Sequence, residues 1–211
     1  EPGIVHILMI NSSAAQGESV SRTLVHHAVD VLLSRCPAAT IIHRDLGVAP
    51  MPHLTRESLA GVRGVPSTHS ERAARALSDE LIAELRLADT ILIGAPMYNF
   101  SLPTGLRAWF DYVLRAGETF RYSEAGPQGL LGGKRVIVIE SRGGFYSDGP
   151  GWAMDFQEPY LRQLLQFVGI TDVTFVRAEK LAFGPEARDR AIAFARRQLD
   201  ELINTDYRDA A

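Results

Sequence analysis

Cysteine is almost absent from this chain: Cys36 is the single one in 211 residues. That excludes an internal disulfide, and with no partner thiol Cys36 reads as a small hydrophobe rather than a nucleophile. Neither sign of charge is in excess, with 22 Lys and Arg against 25 Asp and Glu for a formal charge of −3. This is too little positive charge to hold a polyanion, so nucleic acid is not expected as a partner. No apolar run approaches membrane-spanning length, and the first residues carry neither the basic nor the apolar region of a signal peptide. The expectation is a cytoplasmic protein with no membrane insertion. The chain starts at Glu1 without a methionine, which is read as a few leading residues missing. His26 and His27 lie together without an H-E-x-x-H frame and the other histidines are scattered, so no metal site is expected. No G-x-G-x-x-G follows the first apolar run and no G-x-S-x-G precedes a helix, which argues against a dinucleotide Rossmann domain and a serine hydrolase. Gly129 to Lys134 has the look of a phosphate loop, but Gln128 stands where its first glycine belongs and Arg135 where its hydroxyl belongs.

What is present is an ordinary composition, 46% hydrophobic and 22% charged, enough for one core in a single domain over residues 1–211. Val5 to Ile10, Thr40 to His43, Thr90 to Ile93, Arg135 to Ile139 and Val173 to Val176 are short apolar, β-branched runs and read as strands. Helical stripes lie between and after them: Val20 to Leu32, Ser70 to Leu87, Leu106 to Val113, Phe156 to Val168 and Ala191 to Leu202. Leu46 to Pro66 has no clear period and reads as a long surface connection, and Thr205 to Ala211 as a frayed tail. Five strands alternating with five helices predict an α/β fold, a doubly wound five-stranded parallel sheet with helices on both faces. Its flavodoxin-like order, 2-1-3-4-5, sets strands 1, 3 and 4 side by side.

The loops after those three strands carry the chemistry. After the first, Asn11 to Ser21 is small and hydroxyl-rich. Helix N–H groups with Ser13, Ser19 and Ser21 would hold a phosphate there without lysine, while Ser19 as a plain helix cap is an equal reading. After the third, Gly94 to Thr104 is stiffened by Pro96 and Pro103 and presents Met97, Tyr98 and Phe100 beside Asn99, a surface for a flat aromatic ligand. Plain core cover is its alternative. After the fourth, Ser141, Arg142, Gly143 and Gly144 would let backbone N–H groups meet the polar edge of a planar ligand, unless the glycines only serve a turn. A long excursion at about 115–133 holds Phe120 and Tyr122 on a candidate hairpin strand. The three loops together suit a mononucleotide with a three-ring head.

Pro96-Met97-Tyr98-Asn99-Phe100, Ala116 to Tyr122 and Ser141-Arg142-Gly143-Gly144, in that order and spacing, closely resemble the FMN-dependent NADH-azoreductases. The resemblance implies homodimeric, flavodoxin-like quinone and azo reductases with non-covalent FMN and NADH as hydride donor. It puts the FMN phosphate on Ser13 and on Ser19, Val20 and Ser21, the isoalloxazine on Met97 to Phe100, and its polar edge on Ser141 to Gly144. It also makes the Phe120 and Tyr122 loop a roof over the substrate. Glu18 must then face solvent, since a carboxylate turned to phosphate is repelled. The implied reaction is hydride transfer from NAD(P)H to FMN N5, departure of the nicotinamide, then reduction of a quinone or azo compound in the same place. Asn99, Gly143 and Gly144 are the candidates for stabilising charge on the reduced ring. A flavodoxin-type electron carrier shares the fold but usually shows an acidic face, and a flavin-free interaction domain is the third reading.

Overall fold

The computed structural model describes residues 5–209. Five parallel strands form the central sheet: β1 (His6–Asn11), β2 (Thr40–Asp45), β3 (Thr90–Pro96), β6 (Arg135–Ser141) and β7 (Asp172–Ala178). Between the third and fourth of these, β4 (Phe120–Ser123) and β5 (Gly126–Gly129) pair antiparallel as a separate hairpin. Numbered along the chain, the sheet order is therefore β2-β1-β3-β6-β7, differing in detail from 2-1-3-4-5 because the two hairpin strands intervene.

The central strands are apolar throughout because both of their faces are covered. Leu8, Ile10, Ile91, Ile93, Val136 and Val138 point into one layer, against α3 (His69–Leu87), α4 (Thr104–Val113) and α5 (Glu158–Phe167). Their neighbours Ile7, Met9, Leu92, Ile137 and Ile139 point into the other, against α1 (Val20–Arg35) and α6 (Pro185–Asp209). No helix of the described residues is long and apolar enough to cross a membrane.

Several boundaries differ from the sequence expectation. The stretch read as a connection contains α2 (Arg56–Arg63), started by a capping box in which Thr55 and Ser58 satisfy each other's backbone N–H. Strands β3 and β6 run on through Pro96 and Ser141 because their registers pair residue for residue to those positions. Phe156 lies before α5, exposed, with its N–H donated to the Phe100 carbonyl at 3.0 Å. The supposed tail continues α6 to Asp209, while residues 210 and 211, like the chain start at Glu1, lie outside the described residues.

Candidate functional site

The three strand-end loops do meet. Ser12 Oγ donates to the Gly94 carbonyl at 2.6 Å, tying the first loop to β3. The Tyr98 hydroxyl accepts the Ala14 N–H at 3.1 Å, and the Met97 N–H donates to the Ser141 carbonyl at 2.8 Å. All three contacts sit at the carboxyl ends of adjacent parallel strands, where open α/β sheets bind ligands.

In the first loop Ser19 caps α1, its hydroxyl accepting the Arg22 N–H at 3.4 Å and lying 3.2 Å from Ser21 Oγ. Ser13, Ser19 and Ser21 are all buried, and Glu18 is exposed. Val20 packs its side chain into the core, so only its N–H, in the first helical turn, is available to an anion. Behind the loop stands a residue that sequence reasoning missed. Arg22 makes a two-pronged ion pair with Asp45 (2.6 and 2.7 Å), while Nη2 and Nε donate to the Ser13 and Ala15 carbonyls at 2.8 and 2.9 Å. The hydrogen bonds from Arg22 hold the Asp45 carboxyl below its ordinary value. The arginine thus shapes the loop from within and turns its carbonyls inward.

Tyr98 and Ser101 exchange two backbone hydrogen bonds at 3.1 Å, closing a two-residue turn with Asn99 at φ 48° and Phe100 at φ 72°. Both are left-handed, the geometry of a primed hairpin turn, and for Phe100 a costly one. The turn leaves Tyr98, Asn99 and Phe100 exposed and Met97 half-buried, and Phe100 meets Tyr146 edge to face at 6.1 Å.

In the third loop Gly143 is exposed and Gly144 half-buried beside Tyr146, and among the described residues neither amide N–H has an acceptor. Their carbonyls accept from Ala182 and Lys180 at 3.0 and 2.8 Å. Arg142 corrects its expected role as a cofactor contact, because its side chain is fully buried under the loop and faces inward. It contacts Glu140 and Asp155 at 2.9 Å and Glu179 at 3.5 Å. Beside it, Gln157 accepts from Arg142 Nε at 3.3 Å and donates its amide to the Ala95 and Pro96 carbonyls, both at 3.0 Å. One buried amide therefore links the second and third loops. Burial pushes the Glu140 carboxyl well above the carboxylate range against the pull of Arg142, and Glu158 and Asp155 add to the rise. Burial opposes the charge on Glu158 too, but hydrogen bonds from Arg177, then Glu140 and Arg162, bring it down to about 2.

The expected roof is elsewhere. Arg86 and Ala88, just before β3, take the Lys134 ammonium on their carbonyls, and Arg86 ion-pairs with Glu118 at the foot of the hairpin. Leu131 N–H donates to Val168 beyond the end of α5. The hairpin is therefore at the amino end of the sheet, roughly 20 Å from the three loops over the seven residues of β3. Phe120 is buried against Phe167 at 4.6 Å and is a packing residue, whereas Tyr122, 5.6 Å from Phe120, is 73% exposed. Neither reaches the crevice of its own subunit.

The fold is that of a flavodoxin-like protein, and buried hydroxyls at a helix start, an exposed aromatic turn and two glycine amides without acceptors among the described residues lie along adjacent strand ends. The residues fit FMN: anion donors, a planar surface and free N–H groups for a polar edge. The model of the flavodoxin-like fold family matches residues 5–203. An FMN-dependent NADH:quinone oxidoreductase of Hyphomonas neptunium is 64% identical over 200 residues, 95% of this chain and 96% of that protein. One of Ralstonia nicotianae is 48% identical over 95% of this chain and 98% of its own length. An FMN-dependent NADH-azoreductase of Bacillus anthracis, solved in complex with FMN, superposes with a TM-score of 0.84 at 26% identity, covering 95% of this chain and 100% of that one. The chain belongs to the family of FMN-dependent NADH:quinone oxidoreductases.

Proposed function

We propose that this chain takes hydride from NADH and delivers it to a quinone or an azo compound, one substrate after the other at a single crevice. The observation that carries this reading is the convergence of the Ser13 to Ser21, Met97 to Phe100 and Gly143 to Gly144 loops on one strand-end cleft. FMN, when bound, supplies the two-electron chemistry. The residues supply the rest. Ser13, Ser19, Ser21 and the first N–H groups of α1 hold the phosphate. Tyr98, Phe100 and Met97 would pack against the ring system. Asn99 and the Gly143 and Gly144 N–H groups stabilise negative charge along its polar edge.

FMN held by these loops would offer one face to its substrates, and reacting atoms must come within about 3 to 3.5 Å. Nicotinamide and acceptor therefore take turns, a ping-pong order. The active form is a homodimer in the cytoplasm, in which Tyr122 on the hairpin of one subunit covers the crevice of its partner. A hairpin at the far end of the sheet can serve a crevice only in that way. Steady-state rates with quinone varied at several NADH concentrations should give parallel double-reciprocal lines. Anaerobic NADH should bleach the bound flavin. Intersecting lines would reject the alternating order, and a flavin left oxidised would reject the activity in favour of an electron carrier.

A further inference from the structure

The crevice is not the only concavity at this end of the sheet. Between the third loop, the segment after β7 and the face of α6 lies a cavity of about 420 Å³, lined among others by Phe145, Arg177, Glu179, Lys180, Arg190 and Phe194. We propose that this cavity binds the adenosine diphosphate half of the hydride donor, pyrophosphate toward Lys180 and Arg190 and adenine against Phe194. The inference rests on the reading of the crevice as an NADH site.

Four observations carry it. The cavity shares a wall with the crevice, because residues 180–182 donate three main-chain hydrogen bonds to the carbonyls of Gly144, Arg142 and Gly143. A donor whose nicotinamide lies against those glycines has its other half within reach of the same wall. The charge suits a pyrophosphate: the Lys180 ammonium has no carboxylate partner among the described residues and lies 4.4 Å from the Phe145 ring. Among the described residues Arg190 pairs with Glu186 alone, which is exposed. The carboxylate in the lining is already engaged, Glu179 accepting the Tyr146 N–H at 2.7 Å and facing Arg142. Arg177 is held by Glu158 and is not counted as a ligand. The rings suit a base, since Phe145 and Phe194 both line the cavity and are 39% and 52% exposed, with Arg197 5.9 Å from the Phe194 ring. Finally, Lys180 holds φ 60°, a left-handed backbone for a residue that is not glycine. Such geometry is retained where a side chain must be aimed. The volume lies within the range of small-molecule sites.

The test is calorimetric titration of the FMN-loaded protein with ADP, beside initial rates with NADH and with reduced nicotinamide mononucleotide, which lacks the adenylate. ADP should bind, compete with NADH and not with quinone, and bind at least tenfold more weakly to Lys180→Gln. Arg190→Gln, an exposed substitution with little bearing on folding, should weaken it severalfold. The preference of the wild type for NADH over the truncated donor, taken as a ratio of KM values, should collapse in Lys180→Gln. Unchanged ADP affinity in both variants, or no ADP binding at millimolar concentration, overturns the proposal. So does an effect of Lys180→Gln on the KM of a sulfonated quinone with ADP affinity intact, which would assign the cavity to anionic acceptors. If ADP binds through Lys180 but no donor reduces the flavin, the cavity stands and the hydride-donor reading falls.

Discussion

Ser19 and Ser21 sit 3.2 Å apart at the start of α1, yet their substitutions should be told apart. Ser19→Ala removes a helix cap and should cost about 0.5 to 2 kcal/mol of stability whatever the ligand. Ser21 caps nothing. Its replacement by alanine removes one hydrogen bond to a charged group, on the order of 1.5 to 3 kcal/mol. FMN should bind Ser21→Ala roughly 10- to 100-fold more weakly while riboflavin binds as before. Flavin fluorescence titrations decide this, and equal losses for both ligands would remove the phosphate role. The buried pair of Glu140 and Glu158 yields a pH effect of opposite signs. Glu158, held down to about 2 from 4.5, contributes stability above its unfolded value that is lost as pH falls from about 4.5 toward 2. Glu140, held up, contributes stability at low pH that is lost as pH rises toward its raised value. Glu140→Gln, whose side chain cannot ionise, removes that second loss. Its melting temperature should gain on the wild type as pH is raised above the ordinary carboxylate range, and a gap that narrows instead would reject the raised Glu140.

Among the elements, the connection from β2 to α2 does more than link them. A Cβ on Gly47 would lie 2.0 Å from the Ser13 carbonyl oxygen and 2.6 Å from Arg22 Nη2. Gly47→Ala must therefore displace the phosphate loop or the arginine that shapes it. An overpacking cost of about 1 to 3 kcal/mol and weaker FMN binding are expected together, and an unchanged melting curve with unchanged affinity would show the loop free to shift. Gln157 links two other loops. Gln157→Leu leaves the Ala95 and Pro96 carbonyls without their donor, a loss of about 1 to 3 kcal/mol, or roughly 2 to 12 °C in Tm for a chain of this size. The five parallel strands and the three loops were legible in the sequence because buried runs and hydroxyl, aromatic and glycine clusters are local signals. Helix α2 was not, since eight largely polar residues carry too short a period and only the Thr55 and Ser58 pair marks their start. Nor was the part played by Arg22, Arg142 or Gln157. Each also acts through partners distant in sequence, Asp45 for Arg22, Glu179 for Arg142 and Ala95 for Gln157, and a side chain's direction, into the core or out to a ligand, is not written in its neighbours.

For the molecule as a whole, the decisive fact is that the crevice and the hairpin occupy opposite ends of one sheet. Light scattering should find a species larger than the 23.2 kDa chain at assay concentration, and a fully active monomer would dismiss the borrowed Tyr122. Shortening the hairpin between Phe120 and Gly129 should lower kcat/KM for quinone and leave FMN affinity intact, as the two ends do not touch. In the proposed homodimer that separation would also make the sites genetically divisible. A chain defective in Ser21 still carries a sound hairpin, and a chain defective in Tyr122 still carries a sound crevice. Co-expressed, two such inactive chains would form a mixed pair in which one site of the two has every part it needs, so that two null alleles restore activity that neither has alone.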